Sequence, residues 1–227
     1  MTGRLEQLLA TRRSVRGFLP DPVPRPDVER LLRAARLAPS GANLQPGRFH
    51  ALTGAPLADL CAALVAASDA GRPTVAEYSY FPNPMGPELK ARQRAAGYAL
   101  YSALGIDRRD LEGRRRQFRR NYRFFDAPVG VVVTIQRDMG KGCFMDLGMA
   151  LMALQIAAED MGYASCGIGA LANHADVVQA HLALPEAEQV VCGMAIGRAD
   201  PNAPVNHFRT DRDPLEVYAT FAGFEGS

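Results

Sequence analysis

The segment FMDLGMALMALQIAAEDMGY, residues 144–163, constrains the fold of this chain more than any other stretch. Apolar residues occupy nearly every position around a helix of this length, so it has almost no polar, solvent-facing side. A helix of that composition is expected at the centre of a fold, with neighbours packed around it. Short apolar segments stand before and after it, PVGVVVTIQ and ASCGIGAL, and both are typical of strands.

Helical and strand patterns alternate along the rest of the chain. RFHALTG and EQVVCGMAIG predict two more strands, and LADLCAALVAASDA predicts another helix. Some links between strands are too short for the crossover that a parallel pair needs. With 227 residues, 48% of them hydrophobic, the chain can build one packed domain. We therefore expect an α+β sandwich in which one mixed or antiparallel sheet is flanked by helices.

Charge and cysteine usage limit the classes of function. The net charge of +2 is too small to indicate binding to nucleic acid or to a membrane surface. No signal peptide is visible at the N-terminus, and we expect no apolar run of the roughly 18 residues that span a membrane. The four cysteines lie far apart without metal-ligand spacing, which indicates reduced core thiols of a cytoplasmic protein. They are Cys61, Cys143, Cys166 and Cys192.

Residues 71–121 differ in composition from the rest of the chain. The aromatic and proline-rich YSYFPNPMGPE precedes two highly charged helical segments. The whole region is too long to be a simple connector between two elements. We interpret this region as a helical insertion and a candidate substrate lid, in which Tyr78, Tyr80 and Phe81 would meet a flat substrate. The alternative is that these aromatic residues only pack the insertion against the sheet.

Three short motifs contain residue types that suit ligand binding, although each also has an ordinary structural explanation. In RRSVRGF, residues 12–18, the guanidinium groups have the planar geometry that matches phosphate oxygens. The alternative is that this segment is a solvated basic loop. APSGANLQPGRF, residues 38–49, lets backbone approach a flat ligand, or is a helix-to-strand turn. NHFRTDRDPLE, residues 206–216, brings two more arginines, or is a surface tail within the C-terminal extension 199–227.

Taken together with the central helix, the order and spacing of these motifs resemble the FMN-dependent nitroreductase family. The resemblance covers nearly the whole chain except the insertion, whose YSYFPNP and RRNYRFFDAP are similar to the branch of nitrobenzoate-type reductases. It implies a three-layer sandwich, one FMN-binding domain over residues 1–227 and a domain-interlaced homodimer with FMN at the subunit interface. One departure is that Gly47 stands where the family usually has tryptophan.

The resemblance also implies roles for individual residues. Arg12, Arg13 and Ser14 would hold the FMN phosphate, with Arg212 and Arg209 closing from the tail. Arg16 would face the N1/O2 edge of the flavin ring, where a fixed positive charge favours the reduced form and raises its potential. Backbone at Gly169 and Ala170 would face flavin N5. The remaining residues implied in cofactor binding are Pro39, Ser40, Gly41, Asn43 and Asn121.

The function implied is transfer of hydride from NADPH or NADH, through FMN, to a nitroaromatic or quinone-type acceptor in a ping-pong reaction. Alternatives on the same scaffold are reductive dehalogenation and oxygen-dependent attack on the flavin. A non-enzymatic flavin carrier or redox sensor is the alternative from another class. No metal site is expected, because His174 and His181 lack further ligands. RRRQFRR, residues 114–120, is interpreted as a solvated helix face, and Asn173 as a helix cap.

Overall fold

The computed structural model describes residues 3–75 and 77–224. Its sheet has the strand order β1-β2-β4-β3, and all three pairings between these strands are antiparallel. The strands are β1 Arg48–Thr53, β2 Val129–Gln136, β3 Ala164–Ile168 and β4 Glu188–Gly197. Of the two sheet types expected, the antiparallel one is therefore found among the four strands of the described part.

Eight α-helices accompany the sheet in the described residues. They are α1 Arg4–Thr11, α2 Arg25–Arg36, α3 Gly54–Asp69, α4 Pro87–Ala103, α5 Leu111–Arg119, α6 Lys141–Asp160, α7 Ala175–Leu182 and α8 Leu215–Tyr218. Short 3₁₀ helices stand at Gly41–Asn43, Arg120–Asp126, Gly169–Asn173 and Pro204–Asn206. The expected Asn173 cap is wrong: the residue before α7 is His174, and the Asn173 amide donates to the hydroxyl of Tyr122 at 3.4 Å instead.

The core consists of two hydrophobic clusters, one on each face of the sheet. Successive strand residues point to opposite faces, and β2 shows this directly. Val131 and Val133 pack with α2 and α6, whereas Val132 packs with α3 and α7. All three valines are fully buried. The arrangement is a three-layer α+β sandwich, as the sequence predicted.

Helix α6 differs from the prediction in one respect, because only one of its sides is covered within a single chain. Leu147 and Leu154 are fully buried against the sheet, but Met145 is 70% exposed and Met149 is exposed beside it. Lys141–Asp160 is also the one helix in the described part that is long and apolar enough to span a membrane. The expectation that no such stretch exists is wrong, although core helices of soluble proteins pass the same test.

The insertion contains the two charged helices that were expected, α4 and α5, and its first residues are fastened to the sheet. A β-bulge between β2 and β4 leaves Val191 out of register. The hydroxyl of Tyr78 donates to the carbonyl of Val191 at 2.6 Å, and a Glu77 carboxylate oxygen accepts from the amide of Val190 at 2.9 Å. The insertion thus satisfies backbone groups that the bulge leaves unpaired.

Candidate functional site

The arginine-rich loop that follows α1 is held beside the edge strand β3. The amide of Val15 donates to the carbonyl of Ser165 at 3.1 Å, and Ser14 and Ser165 form an isolated parallel bridge. The side chain of Val15 is buried, which anchors the loop in the protein. Fixing the backbone in this way leaves the flanking polar side chains free to face a common cavity.

The C-terminal tail brings two further arginines to the same place. The guanidinium of Arg209 donates to the carbonyls of Ala10 and Thr11, at 2.5 and 3.2 Å. These carbonyls lie at the negative end of α1, where a cation is favoured. Among the described residues, Arg212 donates within its own segment, to Thr210 and to the carbonyl of Asp211. One nitrogen, Nη1, makes all of these contacts, so the remaining donors of Arg212 can serve a ligand.

A cavity of about 300 Å³ lies between the loop and the tail. No carboxylate lines it among the described residues, and the Nε atoms of Arg12 and Arg13 are buried without a hydrogen-bond partner there. Converging guanidinium groups without a counter-charge are unfavourable unless an anion joins them. The cavity therefore fits a phosphate group. Its polar lining consists of Arg12, Arg13, Ser14, Arg16, Arg209, Thr210 and Arg212.

Arg16 is oriented by groups that the sequence did not single out. Its amide donates to the side-chain oxygen of Asn206 at 2.9 Å. The Asn206 amide group in turn donates to the carbonyl of Gly17 at 2.8 Å, and Asn206 is almost fully buried. The Arg16 guanidinium lies 5.8 Å from the ring centroid of Phe125. Asn206 and Phe125 thus position Arg16, although nothing in their local sequence distinguishes them.

The loop at residues 39–43 is well defined but does not line this cavity. Ser40 Oγ accepts from the amide of Gln45 at 2.9 Å, and the amide of Gly41 donates to Asp146 near the start of α6 at 3.0 Å. Arg12, by contrast, contacts Gln155 nine residues further along α6, about 13 Å away along the axis. Within one chain the structure does not bring Pro39, Ser40, Gly41 and Asn43 together with the arginines.

Backbone conformation explains why glycine occupies position 47. Its φ of +90° lies in a region that other residues rarely adopt. A Cβ atom there would lie 2.5 Å from Cδ1 of Leu147, a fully buried core residue of α6. The space that tryptophan would need beside this turn is therefore already filled by Leu147.

Gly169 and Ala170 follow β3, and an aromatic residue of the insertion covers the first of them. A Cβ atom on Gly169 would lie 2.8 Å from the ring of Tyr80, so the ring rests directly on glycine backbone. Tyr80 and Phe81 are more than half exposed, and their rings contact edge to face at 4.8 Å. Tyr78 is different: it is half-buried, burial raises its pKa, and its hydroxyl is engaged by Val191.

Other candidate groups contribute less to the site. Asn121 lies outside the arginine cavity, with its side-chain amide donating to the carbonyl of Phe118 at 2.7 Å. Cys166 is buried beneath the arginine loop, and burial raises its pKa. That thiol is therefore a poor nucleophile. No group of metal-ligating side chains occurs within residues 3–75 and 77–224.

The apolar part of the cavity wall was missed by sequence reasoning. Phe208 comes from the tail, whereas Ala96 and Leu100 come from α4 in the insertion. Leu9 and Ala10 complete this wall from α1. No periodicity or motif signals that α4 would reach residues of the distant N-terminal loop. The insertion is thus part of the site and not only a neighbour of it.

Fold and site together define an α+β sandwich with an arginine-lined cavity at the edge of its sheet and an aromatic ring resting on the glycine turn that follows β3. Comparison with known families then identifies the chain more closely. Residues 9–198 match the model of the Nitroreductase family, which is most of the chain. The protein belongs to the nitroreductase family.

Individual relatives are similar over almost the whole length. A 4-nitrobenzoate reductase of Pseudomonas putida is 34% identical, over 99% of this chain and 98% of the relative. A chloronitrobenzene nitroreductase of Comamonas testosteroni is 37% identical, over 96% of each protein. Among solved structures, the FMN and NADPH-dependent nitroreductase NfnB of sphigopyxis sp. strain HMH superposes with a TM-score of 0.95 at 36% identity. That alignment covers 98% of this chain and all of the other.

Proposed function

We propose that this protein is an FMN-dependent oxidoreductase that uses NADPH or NADH to reduce nitroaromatic or quinone-type acceptors. The observation that carries the proposal is the arginine cavity, which has no carboxylate among its described lining residues and lies beside the chain that leads into Gly169. The names of similar proteins support the proposal. Two of them are reductases of 4-nitrobenzoate and of chloronitrobenzene, and a third is a nitroreductase that depends on FMN and NADPH.

The residues of the arginine cavity have distinct roles in this proposal. Arg12, Arg13, Ser14 and Arg212 hold the phosphate, because charge-assisted hydrogen bonds to phosphate are the strong ones. Arg209 supports them from the end of α1, to which its guanidinium is bonded. Arg16 would face the N1/O2 edge of the ring, and backbone at Gly169 and Ala170 would face N5. Bound FMN supplies the atom that accepts and donates hydride.

The remaining cofactor residues fit a site completed by a second copy of the chain. Gly41 meets α6 at Asp146, whereas Arg12 meets it at Gln155, about 13 Å further along the helix. One phosphate group would therefore not contact both the arginines and the loop that contains Pro39, Ser40, Gly41 and Asn43. The exposed methionine side of α6 and the leucines of α1 form an apolar groove that a homodimer would cover. Asn121 would then contribute at the periphery of the cofactor.

Tyr80 and Phe81 are the proposed contacts of the aromatic acceptor. Both rings are exposed and contact each other, and the ring of Tyr80 rests on Gly169, where acceptor and nicotinamide would lie in turn over the same face of the flavin. Tyr78 supports this tip of the insertion through its ring, 6.4 Å from that of Tyr80, and through its bond to the sheet. Edge and face contacts of this kind contribute about 0.5–1.5 kcal/mol each.

A spectrum followed by an anaerobic assay tests the proposal. The purified protein should show flavin absorption that heat releases as free FMN, and it should oxidise NADPH or NADH when a nitroarene is added. A protein that binds FMN without turnover would be a carrier or redox sensor. Turnover of halogenated aromatics alone, or loss of the flavin in oxygen, would favour the other chemistries on this scaffold. We also propose a cytoplasmic location, in keeping with four free cysteines.

A further inference from the structure

Helix α4 forms a wall of the arginine cavity although it is held only loosely by the rest of the protein. Its side chains Ala96 and Leu100 line the cavity. None of its seventeen described residues is fully buried. A helix without a buried face gains little stability from packing, so its position must depend on individual contacts with its neighbours.

The C-terminal tail provides such a contact. Arg92 of α4 pairs with Asp213 at 2.6 Å, with both side chains about half exposed. A second groove runs directly beneath this pair, between α4 and the tail residues 209–213. On the α4 side it is lined by the small side chains of Ala95, Ala96 and Ala99, which permit the tail to approach the helix closely.

We propose that the Arg92–Asp213 ion pair is a latch that positions the tail arginines over the FMN phosphate and slows release of the cofactor. Asp213 is the neighbour of Arg212, whose guanidinium bonds to Thr210 and Asp211 of its own segment. In the described part of the chain, side chains of residues 209–213 reach other elements through the bonds of Arg209 to the end of α1 and through this ion pair. Arg92 and Asp213 are therefore positioning residues, and this role rests on the proposed function.

The latch and plain electrostatics predict opposite results for Asp213. Its carboxylate adds negative charge close to the phosphate site, so removing that charge should tighten FMN binding if only Coulomb interactions matter. If the carboxylate instead holds the tail in place, the Asp213→Asn variant should bind FMN less tightly. An exposed pair of this kind corresponds to an effect of about two- to fivefold.

The experiment measures the rate of FMN release from the full-length holoprotein, followed by the rise in flavin fluorescence after dilution. We expect D213N and R92Q to release FMN about two- to fivefold faster than the parent, and D213E to restore the parent rate. Because one contact is removed in either case, the double variant should be no faster than the faster single variant. Melting temperatures should agree within a few degrees, since an exposed pair contributes little to folding.

Arg94→Gln is the matched control, because it removes the same charge about 200° around the same helix. The latch is overturned if R94Q accelerates release as much as R92Q, or if D213N releases FMN at the parent rate or more slowly. A parent protein that binds no FMN at all would overturn the proposed function, and this inference with it. Failure of the latch alone is recognised because the parent still binds FMN.

Discussion

Two segments of this chain are rich in arginine, with three in the five residues 12–16 and five in the seven residues 114–120, yet the structure uses them differently. In residues 12–16 the backbone is extended and paired with β3, and three guanidinium groups turn towards one cavity together with two from the tail. In residues 114–120 the backbone is helical over most of its length, and each residue is rotated by about 100° from the last. The first geometry concentrates positive charge, and the second distributes it.

The partners of the two segments differ accordingly. Arg116, Arg119 and Arg120 each meet a carboxylate, from Glu112, Asp69 and Asp126. Arg114 lies over the ring of Tyr101 at 4.8 Å. Around Arg12 and Arg13, in contrast, no carboxylate lines the cavity in the described residues. Density of arginine in a sequence therefore does not define an anion site, whereas convergence without counter-charge does.

The largest expected effect concerns the cavity itself. Replacing Arg12 or Arg212 with alanine removes charge-assisted bonds worth about 1.5–3 kcal/mol, so FMN should bind about 10- to 150-fold more weakly. Titration of the apoprotein with FMN measures this. R116A is the control from the other segment and should bind FMN like the parent. Parent-like affinity in both cavity variants would mean that the two segments do not differ in function.

Arg16 gives the next largest effect, which concerns the flavin more than its binding. In R16Q the positive charge that favours the reduced flavin is lost, so the midpoint potential should fall by about 20–40 mV, or 1–2 kcal/mol for two electrons. Reduction by NADPH should slow correspondingly, with a smaller change in FMN affinity. Spectroelectrochemical titration measures the potential. An unchanged potential in R16Q would contradict the placement of Arg16 beside the ring.

Much of this fold could be predicted because its patterns are local. The apolar pattern of LADLCAALVAASDA gave the position of α3, and the apolar run after Pro128 gave β2. The exposed side of α6 could not be predicted, since composition does not tell which side of an apolar helix the rest of the chain covers. Met145 is as apolar as Leu147, but only the latter meets the sheet.

Sequence reasoning reached the residues that lie in contiguous motifs and missed those that depend on distant contacts. The guanidinium groups of RRSVRGF suggested an anion site by their chemistry, whereas the tail arginines were joined to them only through the family resemblance; the structure brings both groups to one cavity. Asn206 and Ala96 carry no chemical signal of their own, and each acts through residues about a hundred or more positions away. Contacts between residues so far apart in the sequence depend on how the helices and strands pack, and local sequence patterns do not predict that packing.

The insertion offers a further comparison, between its exposed aromatic tip, Tyr80 and Phe81, and Tyr78, which fastens it to the sheet. Y80A and F81A should raise KM for bulky nitroarenes or quinones about 2- to 12-fold and change the ranking of acceptors, with FMN content unchanged. Y78F is the control: it loses the bond to Val191 and should cost about 1 kcal/mol of unfolding free energy with the ranking unchanged. A tip variant that only unfolds more easily would show that the tip is packing and not a substrate contact.

The smallest effects are expected on α5, where charge is already neutralised. Arg119 and Asp69 are joined at 2.8 Å but each is 46% exposed, and exposed pairs contribute about 0.2–1 kcal/mol. R119Q should therefore lower the unfolding free energy by no more than about 1 kcal/mol. R116Q should change it less, because Arg116 and Glu112 are 3.9 Å apart and more exposed. Denaturant unfolding measures both values.

Cofactor binding by these α5 variants tests whether FMN binding depends on the arginines of residues 12–16 and not on those of residues 114–120. Neither guanidinium lines the arginine cavity, and charges in water are screened beyond about 10 Å at 0.1 M salt. FMN affinity in R116Q and R119Q should therefore stay within about twofold of the parent at that salt concentration. If affinity instead falls as far as in R12A, the α5 arginines act on the cofactor directly. The site would then be defined by total positive charge and not by its convergence on one cavity.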